Sequence, residues 1–253
     1  YFHNEIEFVE VFKAKRGFDI VAGNPPWVKI TFEEGEILSE RYPEILVRRE
    51  KAPVIANRRS HFLAENNLKQ VYLNELISSE SLSSFLNSVE NYKLLLGQQN
   101  NLYKCVIEKG FELLSEIGFL GLIHPETVFD DPKGQVLRRT MYNRIAFHFQ
   151  FQNELQLFKE ILHGNKFSIN VYKGQETNEI FFYSISNLYH PSTIDHSFNH
   201  NGFGICGGLK KINESSLNYE WNVAPHRNRV ILVNNEILKL IARTFNNSDD
   251  YHS

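Results

Sequence analysis

The chain has 253 residues, 42% of them hydrophobic, with 27 Lys and Arg against 30 Asp and Glu for a net charge of −3. That apolar share supports packed cores and excludes a disordered or collagen-like chain, and the length fits one large or two small domains. The slight acidity excludes a protein that grips nucleic acid by bulk positive charge, so phosphate contacts must come from local basic patches.

Residues 18–22, Phe-Asp-Ile-Val-Ala, are apolar apart from Asp19 and predict a strand buried on both faces of a parallel sheet. Gly23 ends the run, and Asn24-Pro25-Pro26-Trp27 follows. Each proline fixes φ and drives the residue before it out of the helical region. A stiff extended loop is therefore expected at the carboxyl end of a strand, where open α/β sheets bind ligands. Residues 33–97 lack the Gly, Pro and Ser bias of a linker. Leu38, Ile45 and Leu46, then Phe62 to Leu76, then Leu82 to Leu94 predict three helices. The segment carries Arg48, Arg49, Lys51, Arg58 and Arg59, which can grip phosphates or line a solvated face.

Asn101 opens a helical pattern with Tyr103, Ile107, Phe111 and Leu114 on one stripe, and Gly118 is expected to stop it. Phe119 to Ile123 reads as a second buried strand closed by His124-Pro125, and Gly134 to Ile145 as a second helix. Phe147, Phe149 and Phe151 alternate with polar residues, as do Phe167, Ile169 and Val171, so two half-buried antiparallel strands are expected. Residues 184–230 read as loop-rich, with Lys210, Lys211, Arg227 and Arg229 as candidate DNA contacts. Within them Gly202-Phe-Gly204-Ile-Cys-Gly207 spells a dinucleotide-binding turn but lacks the flanking strand and helix. His190, His196, His200 and Cys206 sit among Pro191, Asn199, Asn201 and Gly202, which argue against the helix that a paired-His site uses, so no metal is expected. Asp130, Asp131, Glu154 and Glu160 form no nuclease motif. Residues 235–245 predict a final helix with Asn235 as cap and Ile237, Leu238, Ile241 and Phe245 on its apolar side. Two cysteines, Cys105 and Cys206, make no disulfide framework and suit a reducing cytoplasm. No signal peptide or membrane-spanning run is visible.

The loop at 24–27 holds a specific chemistry. An exocyclic amine on a nucleobase is a poor nucleophile, because its lone pair is delocalised into the ring. Two acceptors aimed at its two hydrogens bend it toward a tetrahedral shape and free that pair. The Asn24 side-chain oxygen is one acceptor and the Pro25 carbonyl the other. Trp27 offers a face on which a base taken out of its helix can stack.

Asn24-Pro25-Pro26-Trp27 after an apolar strand resembles the catalytic motif of S-adenosylmethionine-dependent DNA methyltransferases acting on amines, the adenine-N6 branch in particular. The likeness is greatest to the large adenine methyltransferases of bacterial restriction–modification and phage-defence systems, and it runs from Glu5–Phe12 to Ala224–Arg229. Similar motifs occur in methyltransferases of protein glutamine and of ribosomal RNA guanine. The resemblance implies an α/β fold: the C-terminal half of a Rossmann-like methyltransferase sheet, parallel strands ending in an antiparallel pair, with a helical insertion. Residues 1–183 would be a partial catalytic domain, with the insertion at about 33–97, and residues 184–253 a loop-rich extension ending in a helix.

The resemblance also implies roles. Asn24, Pro25 and Pro26 form the catalytic loop that holds the amine, and Trp27 stacks on the flipped adenine. Phe158, with Phe167 as the fallback, lies on the base's other face. Tyr103 and Val106 belong to the element that lies against the donor's adenine, with Val106 standing where the family has Phe. The cofactor is S-adenosyl-L-methionine, the partner double-stranded DNA with one adenine extruded. The family's Gly-rich donor-binding turn normally precedes the Asn-Pro-Pro segment, and only 23 residues precede Asn24 here. The expectation is a fragment that works with the rest of a parent polypeptide in the cytoplasm, away from membranes. Alone it is expected neither to bind the donor tightly nor to methylate. Two other readings stand beside this one: a non-catalytic remnant that positions DNA for a nuclease partner, and a methyltransferase of protein or RNA.

Overall fold

The computed structural model describes residues 3–64, 66–98, 101–213, 215, 217–246 and 250–251. In chain order the elements are α1 (Asn4–Glu7), α2 (Val9–Lys15), β1 (Phe18–Gly23), α3 (Glu34–Ser39), α4 (Glu44–Val47), α5 (Ala52–Phe62), α6 (Asn66–Leu86) and α7 (Leu102–Leu113). Then come β2 (Leu114–Pro125), α8 (Thr127–Asp130), α9 (Gln135–Tyr142), β3 (Ile145–Gln152), β4 (Lys166–Lys173) and β5 (Phe181–Leu188). Last are α10 (Ser192–Phe198), β6 (Lys210–Ile212), β7 (Tyr219–Trp221), β8 (Ile231–Asn234) and α11 (Asn235–Asn246). They form two compact units, one of residues 1–27 with 103–253, the other of residues 28–102.

The first unit is built on a six-stranded mixed sheet in the order β1-β2-β4-β3-β5-β8. β1 runs parallel to β2, and β4 runs antiparallel to both β2 and β3. The alternating phenylalanines pair as their spacing requires, Phe147 opposite Val171, Phe149 opposite Ile169 and Phe151 opposite Phe167. Because successive side chains alternate between faces, one face of the sheet is apolar and aromatic: Phe149, Phe151, Phe167, Ile185 and Leu188 form its core. The other face buries His124, Ser168 and Asn170.

Several expectations are corrected. β1 is not covered on both faces. Among the described residues it lies at the sheet edge, paired with β2, and Ile20 is 74% exposed. Gly118 does not stop a helix: α7 ends at Leu113, and Gly118 lies inside β2. A Cβ there would fall 2.5 Å from the Phe18 carbonyl oxygen, so glycine permits the close approach of β1. Gly118→Ala should cost about 1–3 kcal/mol in urea unfolding. Gly121→Ala, whose Cβ would meet only Ala22 Cβ at 3.9 Å, should cost much less. The expected boundary at 183/184 falls within β5, and β5 and β8 extend the main sheet through the segment read as loop. Residues 192–198 are helical despite Pro191, because proline is accepted ahead of a helix's first turn. In α11 the cap is Asn234, whose Oδ1 accepts from Ile237 N at 3.0 Å; Asn235 Oδ1 instead accepts from Ile180 N at 2.9 Å.

The second unit packs α3 to α6 around Leu38, Ile45, Ile55, Phe62, Leu68 and Tyr72. The helices are divided differently from the expected three. The first group breaks ahead of Pro43 into α3 and α4, and Leu82, Phe85 and Leu86 continue α6. Arg59 pairs with Glu34, which also accepts from the Tyr72 hydroxyl at 3.0 Å. Arg58 Nη1 donates to both oxygens of Glu50, at 2.8 and 3.0 Å. These two candidate phosphate grips are thus held by carboxylates of their own unit.

Candidate active site

The parallel pairing of β1 and β2 sets Gly23 beside Leu122, so the loop after β1 lies against the end of β2. Asn24 and Pro26 are exposed, Pro25 is buried and Trp27 is half-buried. The buried ring of Pro25 anchors a loop whose neighbouring carboxamide faces outward. Trp27 is fixed by its indole N–H, which donates to the Ile123 carbonyl at 3.2 Å. Its ring packs on Phe167 at 5.8 Å and on Phe158 at 5.5 Å between centroids. Beside it opens a cavity of about 520 Å³ lined by Trp27, Pro125, Glu126, Thr127, Asp130 and Lys166 among others.

Phe158 lies next to Trp27, but the two rings touch at an interplanar angle of 59°. A base sandwiched between parallel rings needs a slot about one ring thick, which is absent here. Stacking on both faces requires the Phe158 segment to move. That segment hangs on Asn153, which is wholly buried at the end of β3. Its Nδ2 donates to the carbonyls of Phe158 at 2.8 Å and Ile161 at 2.9 Å, and its Oδ1 accepts from Phe158 N at 3.0 Å.

Glu126, in the cavity wall, is almost fully buried and bound on several sides. Its Oε1 meets His148 Nε2 at 3.2 Å and its Oε2 accepts from Gln150 at 2.9 Å. Burial alone would raise its pKa, but hydrogen bonds from His148, Ser168 and Gln150 outweigh it and hold the carboxyl at about 2 against an ordinary 4.5. Since the folded pKa is the lower one, the unfolded chain binds more protons between these values. The stabilisation, about 3 kcal/mol, is therefore complete above the unfolded pKa and lost as pH falls through the folded one. Unfolding measured from pH 6 to 2 should show this loss, and Glu126→Gln should flatten it.

Behind the end of β2, His124 is wholly buried and stacked between Tyr103 at 5.7 Å and Tyr172 at 6.4 Å. Burial lowers its pKa to about 4, so it is neutral at pH 7. Its Nε2 lies 2.9 Å from both Asn170 Nδ2 and the Tyr172 hydroxyl; the Asn170 amide donates to it, which leaves the Nδ1 proton to donate to the Pro125 carbonyl at 3.0 Å. This polar stack fixes the strand end that holds Trp27. Sequence reasoning missed it, although Ser168 and Asn170 at inward positions of β4 and His148 and Gln150 in β3 were its signal.

The remaining predicted residues are scattered. Tyr103 is wholly buried, its hydroxyl 3.0 Å from Thr127 Oγ1 and its pKa pushed up to about 12 by burial. Val106 is 38% exposed on α7. Lys210 lies over the Trp221 ring at 4.4 Å, and Lys211 pairs with Glu220 at 2.9 Å. Arg229 donates to the carbonyls of Ala224 and Asn187, both at 2.9 Å. Arg227 is exposed and donates to the Phe198 carbonyl at 3.3 Å. The Gly202–Gly207 stretch comes after α10 and before β6, which is not the strand-turn-helix setting of a dinucleotide site. The His200 and His226 rings lie 4.6 Å apart, tilted by 39°, and among the described residues no group of three or more His, Cys, Asp or Glu is placed to hold a metal. Among the same residues no helix is long and apolar enough to cross a membrane.

Comparison with known proteins places residues 1–53, which include β1 and Asn24 to Trp27, in a match to the Eco57I restriction-modification methylase family model. Comparison with curated proteins returned no match. Among solved structures, the chain is similar to the methyltransferase subunit of a type I restriction-modification system from Streptococcus thermophilus, at 13% identity and a TM-score of 0.36 over 46% of this chain and 27% of that one. It is similar to the type IIG restriction endonuclease BpuSI at 15% identity and a TM-score of 0.36, over 61% of this chain and 17% of that one. A third likeness is to the ATP-dependent Type ISP restriction-modification enzyme LlaBIII bound to DNA, at 12% identity and a TM-score of 0.36, over 69% of this chain and 10% of that one. The chain thus spans 10% to 27% of the length of these three proteins.

Proposed function

We propose that this chain carries the base-holding half of a DNA adenine-N6 methyltransferase of the restriction–modification type. The observation that carries the reading is the loop after β1. An outward-facing Asn24 carboxamide is anchored by a buried Pro25, and a half-buried Trp27, pinned by the Ile123 carbonyl, borders a cavity of about 520 Å³. That volume lies in the range of small-molecule sites. The match of residues 1–53 to the Eco57I restriction-modification methylase model supports it.

In this reading the Asn24 side-chain oxygen and the Pro25 carbonyl accept hydrogen bonds from the two amine protons of an extruded adenine, localising its lone pair. Trp27 supports the ring face. S-adenosyl-L-methionine, when bound, supplies an electrophilic methyl group. Of the two residues that the resemblance sets against the donor, Tyr103 is wholly buried and Val106 is 38% exposed on α7. In this reading the chain's part is to hold and activate the acceptor.

The test is transfer of labelled methyl groups by the intact protein to duplex DNA, structured RNA and a release-factor protein, offered side by side. Label in DNA alone is the expected result. Label in RNA or protein, with none in DNA, would refute the assignment.

A further inference from the structure

The aromatic face of the sheet carries a second concave site that the proposed reaction does not use. Phe147 on β3 and Tyr183 on β5 stand in register on neighbouring parallel strands. Their rings lie 6.0 Å apart at 23°, and Phe149 continues the row at 5.7 Å and 33° from Phe147. Phe147 and Tyr183, 23° from parallel, make a floor, and Phe149 beside them is tilted and 9% exposed. Phe198, at the end of α10, meets these rings edge-on, at 75° to Phe147, 82° to Phe149 and 83° to Tyr183. These rings line a cleft of about 580 Å³ beside Phe198, with Asp195, Asn199 and Arg227 exposed around its rim. The Arg227 guanidinium is tethered to the lip by its bond to the Phe198 carbonyl.

We infer that this cleft binds a nucleotide unit, with the base lying on the Phe147 and Tyr183 rings against Phe198 and the phosphate at Arg227. A floor of rings on adjacent strands is the arrangement on which single-stranded bases stack, and any base has the π-face it needs. An aliphatic ligand would gain nothing from a guanidinium at the lip, whereas a phosphate accepts from its forked N–H groups. Asp195 repels a phosphate and accepts from an exocyclic amine, so the two rim charges orient the unit. The same chemistry arises from a free nucleotide or from an unstacked nucleotide within a strand. The inference stands apart from the methyltransferase reading, since neither Asn24 nor Trp27 takes part in it.

The test is calorimetric titration of this chain with adenosine monophosphate and, separately, with a single-stranded oligonucleotide of six deoxyadenosines. Saturation by the monophosphate points to a free nucleotide, and saturation by the oligonucleotide alone to a strand. In either case Phe198→Ala should weaken binding by about tenfold or more. Arg227→Gln, an exposed change that leaves the core intact, should weaken it about fivefold and reduce its salt dependence. Both cleft variants should weaken binding as much in a Trp27→Ala background as in the unaltered chain, which separates this cleft from the candidate active site. Absence of saturable binding to both probes at millimolar concentration would overturn the inference, as would binding indifferent to both cleft variants.

Discussion

Replacing Asn24 with Ala in the intact protein should lower methyl transfer to DNA by about a thousandfold, with DNA affinity changed less than about threefold. The size follows from the loss of one preorganised polar contact to a reacting centre, which costs about 10²–10³ in rate at comparable sites. The pattern follows from geometry. The Asn24 residue is exposed directly after β1, and its removal takes away no core packing. Its absence leaves Pro25 as the sole remaining acceptor for the amine, so the lone pair stays delocalised. Asn24→Asp keeps an acceptor oxygen and should retain more activity than Asn24→Ala. Single-turnover rates with labelled donor, beside filter-binding affinities, separate the two quantities. Equal loss in both variants would show that the side chain acts by something other than accepting a hydrogen bond.

The second large effect is expected at Asn153, which touches none of the reacting groups. Its three hydrogen bonds hold the Phe158 and Ile161 backbone, and Phe158 in turn packs on Trp27. Asn153→Ala leaves buried donors and acceptors unmatched, at roughly 1 kcal/mol or more for each. A total of about 2–4 kcal/mol, read from urea unfolding, is expected. Asn153→Asp keeps the acceptor toward Phe158 N but turns a donor pair into an oxygen facing two carbonyls. It should therefore be nearly as damaging. With Trp221 replaced by Phe, so that Trp27 is the single emitting indole, fluorescence gives a local readout, since a freed Phe158 segment exposes the indole and shifts its emission to the red. A variant of full stability with unshifted emission would contradict the clamp.

The parts of this molecule that could be read from residues are those governed by local rules. The alternation of Phe147, Phe149 and Phe151 against Phe167, Ile169 and Val171 set both the strands and their antiparallel register, because a slip of one residue would have turned every ring to the polar face. Asn24 to Trp27 was legible because proline constrains the backbone whatever surrounds it. What escaped depends on distant partners. Gly118 looks like a helix stop in the sequence, and its purpose appears only with Phe18 at 2.5 Å from a would-be Cβ. β5 was obscured because its inward positions include Ser184 beside Phe182 and Ile185, which breaks a clean alternation. The partners of Arg58, Arg59 and Arg229 escaped as well: Glu50 and Glu34 pair with the first two, and the Asn187 carbonyl accepts from the third. The same holds for Phe158: its proximity to Trp27 was foreseen, but the ring contact that closes the slot was not.

The account rests on an amine held by Asn24 and Pro25, and the identity of the modified atom tests it most directly. DNA treated with the intact protein and labelled donor, digested to nucleosides and resolved by mass spectrometry, should carry its label as N6-methyladenine, and Asn24→Ala should remove that product. Label found as 5-methylcytosine, where the attacked atom is a ring carbon and no amine is held, would contradict it.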